Sequence, residues 1–169
     1  MKKFSTFILA RAGIISALYV VLSLITFPVA SGAIQIRFAE GLTLLAIIYP
    51  ESIISLTVGC LITNLITGCA VYDVIFGALI TFVSGALTYI STKFIKNTAL
   101  KILVGGIYPV LLNALLLPVI WYYAYGKLEY MYILSVLFVF IGQAVSVYGV
   151  GTPLYLQTKR LKEQKIRGF

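Results

Sequence analysis

AEGLTLLAIIYPESIISLTVGCLITNLI, residues 39–66, is the stretch on which the number of helices in this chain depends. It is apolar over most of its length, but Tyr49, Pro50 and Glu51 interrupt it near the middle. Proline removes a helical hydrogen bond and clashes with the preceding turn, and a carboxylate is costly inside an apolar span. The interruption therefore favours two short helices over one continuous helix.

The rest of the chain is equally apolar, which predicts a membrane protein. Hydrophobic residues make up 61% of the 169 residues, charged residues make up 11%, and the mean hydropathy is +1.05. A bilayer core about 30 Å thick requires roughly 20 apolar residues per helix, and backbone groups facing lipid must be hydrogen-bonded within the helix. We expect an all-α bundle forming a single membrane domain over residues 1–169. Its apolar stretches are residues 7–27, 39–66, 74–95, 100–125 and 131–156.

The distribution of basic residues decides between five helices and six. Short cytoplasmic loops collect Lys and Arg. With six transmembrane helices and both termini in the cytoplasm, only Arg37 and Lys127 lie outside; five helices would place either the N-terminal lysines or the basic tail there. The sequence therefore predicts six helices. The cytoplasmic set is Lys2, Lys3, Arg11, Lys93, Lys96, Lys101, Lys159, Arg160, Lys162, Lys165 and Arg167.

The first apolar stretch has a second interpretation. Lys2 and Lys3 followed by apolar residues resemble a signal peptide, and Val29, Ala30 and Ser31 resemble a cleavage site. The stretch is long for a signal peptide, and the later stretches have the same hydrophobic length. We therefore expect it to be retained as the first transmembrane helix.

The sequence lacks the residues that several classes of function require. The net charge of +8 is distributed over helix ends and forms no basic face on a soluble fold, which argues against nucleic-acid binding. The chain has no histidine and two cysteines, Cys60 and Cys69, so we expect no metal, no cofactor and no enzyme activity. A glycine-rich phosphate-binding loop is also missing from the sequence, so if the chain moves a molecule across the membrane, other proteins would supply the energy.

Polar residues gather near the outer end of the predicted bundle. Polar side chains at membrane depth are costly unless they face protein, water or a ligand. Each has a structural alternative: a helix cap, an ion pair at the interface, or a hydrogen bond between helices. Their convergence on one side predicts a binding pocket. The candidates are Arg37, Glu40, Asn64, Asp73, Asn113 and Gln143, with Glu129 nearby.

Aromatic residues cluster at the end of the fifth predicted helix, at Trp121, Tyr122, Tyr123 and Tyr125. Such residues commonly form a belt at the membrane surface. One or two rings could instead turn inward and stack on a flat ligand. Helical spacing places Trp121 and Tyr125 on one face, so we expect these two to line the pocket.

Small residues on the first helix predict a close helix contact. Ala12, Gly13, Ser16 and Ala17 form two pairs of small residues four positions apart, which allow helix backbones to approach closely. The contact could lie within this chain or with a partner protein. Both alternatives remain open at this point.

Three stretches carry a resemblance to a known family. They are residues 34–45 (IQIRFAEGLTLL), residues 59–77 (GCLITNLITG leading to DVIFG), and Gly142-Gln143 with residues 149–154 (GVGTPL). With the six-helix pattern, they resemble the S components of energy-coupling factor (ECF) transporters, and within that group the QueT queuosine-precursor transporters. This resemblance implies a bacterial plasma-membrane location, a transmembrane coupling protein and two cytoplasmic ATPases as partners, and docking through the small face of the first helix.

The resemblance also implies a 7-deazaguanine precursor of queuosine as the substrate. One carboxylate could accept two adjacent N–H groups of a guanine-like edge, amides could bind its carbonyl, and a second carboxylate could neutralise an aminomethyl cation. Glu40, Asp73, Asn64 and Gln143 are suitable, and Trp121 or Tyr125 could stack on the base. The alternatives are an S component for another vitamin, such as riboflavin or thiamine, and a stand-alone secondary transporter.

Overall fold

The structure, a computed structural model, describes residues 6–30, 34, 36–128 and 130–167. Lys2, Lys3, Ser31 and Glu129, which entered the predictions above, lie outside the described residues. Within the described residues the chain forms six helices, as predicted, and no strand. The proposed break is confirmed, because one helix ends at Ile47 and the next begins at Ser52.

The helices are named here α1 to α6 in chain order. Helix α1 spans Thr6–Ala30, α2 is a 3₁₀ helix at Phe38–Ile47, and α3 spans Ser52–Ile66. Helix α4 opens with a π-helical turn at Asp73–Gly77 and continues through Ala78–Thr92, and α5 spans Thr98–Tyr125. Helix α6 comprises Tyr132–Ala144, a π-helical segment at Val145–Val150, and Gly151–Arg167.

Four of the described helices, α1, α4, α5 and α6, are long and apolar enough to cross a membrane. Helices α2 and α3 are shorter. At about 2.0 Å per residue for a 3₁₀ helix and 1.5 Å for an α-helix, each is roughly 20 Å long. The chain therefore combines four full-length spans with a pair of short helices.

Helix α2 lies at the centre of the bundle. Every residue from Ala39 to Ala46 is buried, and all five other helices contact α2. Its closest contact is with α6, where a Cβ on Gly41 would lie 2.8 Å from the Gly151 nitrogen. A Cβ on Gly151 would in turn lie 2.5 Å from the Gly41 carbonyl oxygen. Only glycine at both positions permits this approach.

Contacts at the two ends of the bundle show that α2 and α3 connect them. The turn between these helices meets the N-terminal part of α1, because Arg11 Nε donates to Glu51 Oε1 at 2.7 Å. The Arg11 guanidinium also lies 3.8 Å from the centre of the Tyr49 ring, and Lys162 of α6 lies over the same ring at 5.3 Å. We call this the basic end of the bundle.

The α4–α5 loop lies at the same basic end, since Lys159 Nζ of α6 donates to Thr98 Oγ1 at 2.7 Å. The opposite end contains the α3–α4 loop and the end of α5, where the Ala70 N–H donates to the Tyr125 hydroxyl. We call this the outer end. The described basic residues are therefore segregated as the sequence predicted, with Arg37 and Lys127 away from the basic end.

This arrangement predicts that the basic end faces the cytoplasm. In a background without Cys60 and Cys69, a cysteine at Lys127 should react with an impermeant thiol reagent in intact cells. Lys- and Arg-rich short segments lie in the cytoplasm, which an impermeant reagent does not enter. A cysteine at Arg160 or Lys96 should therefore react only after the cells are permeabilised. Labelling of the Arg160 position in intact cells would rule this topology out.

Candidate functional site

Among the described acidic residues, Glu40 on α2 is the most deeply buried, at 2% exposed. The Tyr19 hydroxyl on α1 donates a hydrogen bond of 2.6 Å to Glu40 Oε1, and Tyr19 is itself 1% exposed. Among the described residues, Glu40 Oε2 has no hydrogen-bond partner. One carboxylate oxygen is therefore held by the protein, and the other remains available.

Close packing of α1 against α3 fixes Tyr19. A Cβ on Gly59 of α3 would lie 2.9 Å from Tyr19 Cβ and 3.1 Å from the Ser16 carbonyl oxygen. The glycine therefore allows α3 to lie directly against the backbone of α1. This contact positions the Tyr19 ring toward α2 and Glu40.

Two amide side chains accompany Glu40 inside the bundle. Asn113 on α5 is 4% exposed, donates from Nδ2 to the Pro109 carbonyl at 2.9 Å, and lies close enough to Glu40 to act on its carboxylate. Gln143 on α6 is 0% exposed, and neither Nε2 nor Oε1 has a hydrogen-bond partner among the described residues. We call Tyr19, Glu40, Asn113 and Gln143 the polar layer.

The polar layer lies between two apolar clusters. The cluster nearer the outer end consists of Ile80, Ala114, Leu117 and Val139, and the one nearer the basic end consists of Leu44, Val110, Val147 and Tyr155. Residues three or four apart on an α-helix lie one above the other, so Gln143 lies between the levels of Val139 and Val147, and Asn113 lies between those of Leu117 and Val110. Glu40 precedes Leu44 by four residues of a 3₁₀ helix, which is about 8 Å toward the outer end. Their sequence positions thus bring these side chains to one level of the bundle.

Arg37 lies at the start of α2 and is partly buried. Its guanidinium lies within electrostatic range of both Glu40 and Asp73. No ion pair of the described residues joins Arg37 directly to Glu40. The structural alternative, a direct ion pair between Arg37 and Glu40 at the membrane surface, is therefore not observed.

A second carboxylate lies nearer the outer end. Asp73 is 5% exposed, and its Oδ2 accepts a hydrogen bond of 3.1 Å from the Tyr125 hydroxyl, which itself accepts from the Ala70 N–H at 3.3 Å. Trp121 lies close to the same carboxylate. Both predicted aromatic residues therefore face Asp73, as their helical spacing predicts. Asp73 itself is the first residue of the π-helical turn with which α4 begins.

Asn64 is near this second carboxylate but uses its amide for structure. Its Nδ2 donates to the Asp73 backbone carbonyl at 3.0 Å, and a Cβ on Gly77 would lie 3.0 Å from the same nitrogen. The amide therefore ties α3 to the π-helical turn that carries Asp73. The sequence gives no sign that the Asn64 amide already donates to the backbone of α4.

The four small residues of α1 divide between two environments. Gly13 and Ala17 are exposed, and a Cβ on Gly13 would meet nothing within 4 Å. Ala12 and Ser16 are partly buried, and the Ser16 backbone packs against Gly59 of α3. Contact within the chain therefore involves Ser16, whereas Gly13 and Ala17 present a small-residue surface on the outside of the bundle.

No group of three or more metal-binding side chains occurs among the residues that the structure describes. Both cysteines are free, Cys60 buried beside Tyr19 in an apolar cluster and Cys69 partly exposed. Of the residues in the polar layer, Tyr19 was not anticipated from the sequence. A tyrosine within an apolar helix gives no sign of its partner until the packing of α1 on α2 is known.

A family model described as QueT transporter matches residues 9–160, which is most of the chain. This chain belongs to the QueT transporter family. It is a multi-pass protein of the cell membrane, consistent with its apolar helices.

A curated relative from Lactococcus lactis subsp. cremoris (strain MG1363) is named queuosine precursor transporter QueT. It is 38% identical over 85 residues, which cover 49% of this chain. The match spans 50% of the relative's own length. No solved structure matches the chain.

The hydrogen bond from Tyr19 predicts a measurable loss of stability on Tyr19→Phe. The change leaves Glu40 Oε1 buried without a donor, which should lower the free energy of unfolding by about 1–3 kcal/mol. Tyr155→Phe removes the same hydroxyl from an equally buried ring in the cluster near the basic end and should cost about 1 kcal/mol or less. Reversible unfolding in mixed micelles measures both losses. Equal losses would show that the hydrogen bond to Glu40 adds no stability beyond that of an ordinary buried tyrosine hydroxyl.

Proposed function

We propose that this chain is the substrate-binding subunit of an ECF-type importer and that it captures a 7-deazaguanine precursor of queuosine at the extracellular side. The observation that carries the proposal is the polar layer, in which a buried carboxylate oxygen and a buried amide have no hydrogen-bond partner within the part of the chain that the structure describes. Native proteins pair buried polar groups, so such atoms point to a ligand. The name of the Lactococcus relative supports the choice of substrate.

The chemistry of the outer half suits a flat, cationic heterocycle. Glu40 supplies an acceptor for ring or amino N–H groups, while Asn113 and Gln143 supply amides at the same level. Asp73 could neutralise an aminomethyl cation on the base. Trp121 and Tyr125 stand beside Asp73, where an aromatic face could stack on the bicyclic ring.

The outward-facing small residues support a membrane partner. Gly13 and Ala17 leave the α1 backbone accessible on the outside of the bundle, where a helix of another protein could approach closely. The sequence contains no phosphate-binding loop that would allow the chain to hydrolyse ATP. A transmembrane coupling protein and two cytoplasmic ATPases would complete the transporter.

Replacing Gly13 with leucine separates docking from substrate binding. The leucine side chain should hold a partner helix away, so uptake of labelled precursor by cells that supply the coupling protein and ATPases should fall at least about tenfold. Calorimetric titration of the isolated chain should give an unchanged affinity, because Gly13 faces away from the polar layer. Gly149→Leu, which alters another exposed glycine with open space around it, is the matched control and should leave both properties unchanged.

Several results would contradict the proposal. Equal loss of uptake and binding in Gly13→Leu would show that this face supports the fold and not a partner. Uptake by vesicles containing this chain alone, without ATP, would indicate a secondary transporter. Tight binding of riboflavin or thiamine with no binding of the precursor would identify a different substrate.

A further inference from the structure

Four buried side-chain polar atoms in the described part of the chain have no hydrogen-bond partner, and three of them belong to the polar layer. These three are Glu40 Oε2, Gln143 Nε2 and Gln143 Oε1. The fourth, Ser84 Oγ, lies on α4 one turn beyond Ile80 toward the basic end, so the same helical spacing places it near the level of Gln143. A buried polar atom without a partner costs free energy, so the unpaired atoms of Glu40 and Gln143 restrict what a ligand must supply.

The number of donors and acceptors at this level follows from the chemistry of the two side chains. An ionised carboxylate only accepts, and Tyr19 already occupies Glu40 Oε1, which leaves Oε2 as one acceptor. A primary amide provides one accepting oxygen and a donating NH₂ group. Glu40 Oε2 and Gln143 therefore offer two acceptor oxygens and one donating NH₂ group to a bound molecule.

We infer that the polar layer recognises the carbonyl, ring N–H and exocyclic amine of a guanine-type base, with Gln143 pairing to the first two and Glu40 Oε2 accepting from the amine. This inference rests on the proposed function and assigns the atoms that determine its specificity. A lactam and a primary amide form two antiparallel hydrogen bonds, one in each direction. The exocyclic amine of the base then requires an acceptor that carries no donor of its own. A carboxylate oxygen is such an acceptor.

Other purine-like edges leave part of this set unpaired. An adenine-type base can also form two hydrogen bonds with an amide, but it presents a C–H where guanine has its 2-amino group. A hypoxanthine-type base pairs with Gln143 and likewise gives Glu40 no donor. In both cases the Glu40 Oε2 atom stays buried and unpaired, and sites of this kind reject such ligands strongly.

The Tyr19 contact changes the expectation that one carboxylate would accept two N–H groups of the base side by side. Because the Tyr19 hydroxyl binds Oε1 at 2.6 Å, the carboxylate is oriented with one oxygen committed to α1. Gly59 allows α3 to pack against Tyr19, so this orientation is built into the helix packing. Tyr19 is thus a positioning residue, and recognition is divided between Glu40 and Gln143.

The test is a calorimetric titration of the purified full chain with two ligands, the aminomethyl form of 7-deazaguanine and its counterpart without the 2-amino group. The wild-type chain should bind the amino form about 10-fold to 100-fold more tightly, the range expected for one hydrogen bond to a charged group. In Glu40→Gln this preference should fall to about threefold or less. In Gln143→Leu both affinities should fall by about tenfold or more while the preference is retained.

Gln157→Leu is the matched control, because it makes the same change at an exposed glutamine of the same helix. It should alter neither affinity. Thermal unfolding checks that each variant is folded, and Gln143→Leu should remain stable because it removes two unpaired polar atoms from an apolar surrounding.

The outcomes distinguish this inference from the proposed function. If the wild type binds the precursor but Glu40→Gln keeps the full preference for the amino form, the assignment of Glu40 is overturned and the proposed function stands. Wild-type affinity in Gln143→Leu would likewise overturn the assignment of Gln143. If the wild-type chain binds neither ligand, the proposed function fails, and this inference fails with it.

Discussion

A carboxylate inside a membrane bundle must find partners, because an uncompensated charge in an apolar surrounding is very costly. In this protein that group is Glu40, on a short helix that every other helix contacts. The Tyr19 hydroxyl satisfies one of its oxygens, and the Arg37 guanidinium lies within electrostatic range. The packing of α1, α3 and α6 around α2 can be understood as the structure that holds this one group in place.

The unusual backbone of the bundle serves the same arrangement. A 3₁₀ helix as long as α2 is uncommon, since the geometry of its hydrogen bonds is poorer than in an α-helix. Close packing compensates, above all where Gly41 meets Gly151. Two π-helical segments lie beside the polar groups, one carrying Asp73 and the other directly after Gln143 and Ala144. Such segments occur frequently at functional sites, because they shift side chains out of the regular helical register.

Much of the fold could be predicted because it depends on local sequence and on charge. Pro50 within an apolar stretch indicated the break between α2 and α3, and the segregation of Lys and Arg indicated six helices. Each of these features requires only the periodicity of a helix and the cost of placing charge in lipid.

The pairing of side chains between helices could not be predicted, because it depends on how each helix is rotated against its neighbours. Tyr19 becomes significant only when α1 is seen to face Glu40, and Asn64 proves to hold the backbone of α4. The four small residues of α1 looked alike in the sequence, but two of them face the other helices and two face the outside of the bundle. Rotation of this kind is set by tertiary packing, which a single sequence does not contain.

We propose that the substrate binds at the polar layer in the middle of the bundle. A cryo-EM or crystal structure of the chain with the aminomethyl form of 7-deazaguanine bound would test this claim most directly. We expect the base to lie with its amine about 3 Å from Glu40 Oε2, its carbonyl and ring N–H against Gln143, and its aminomethyl group toward Asp73. A base bound elsewhere, with Glu40 Oε2 and the Gln143 amide still unpaired, would contradict the account.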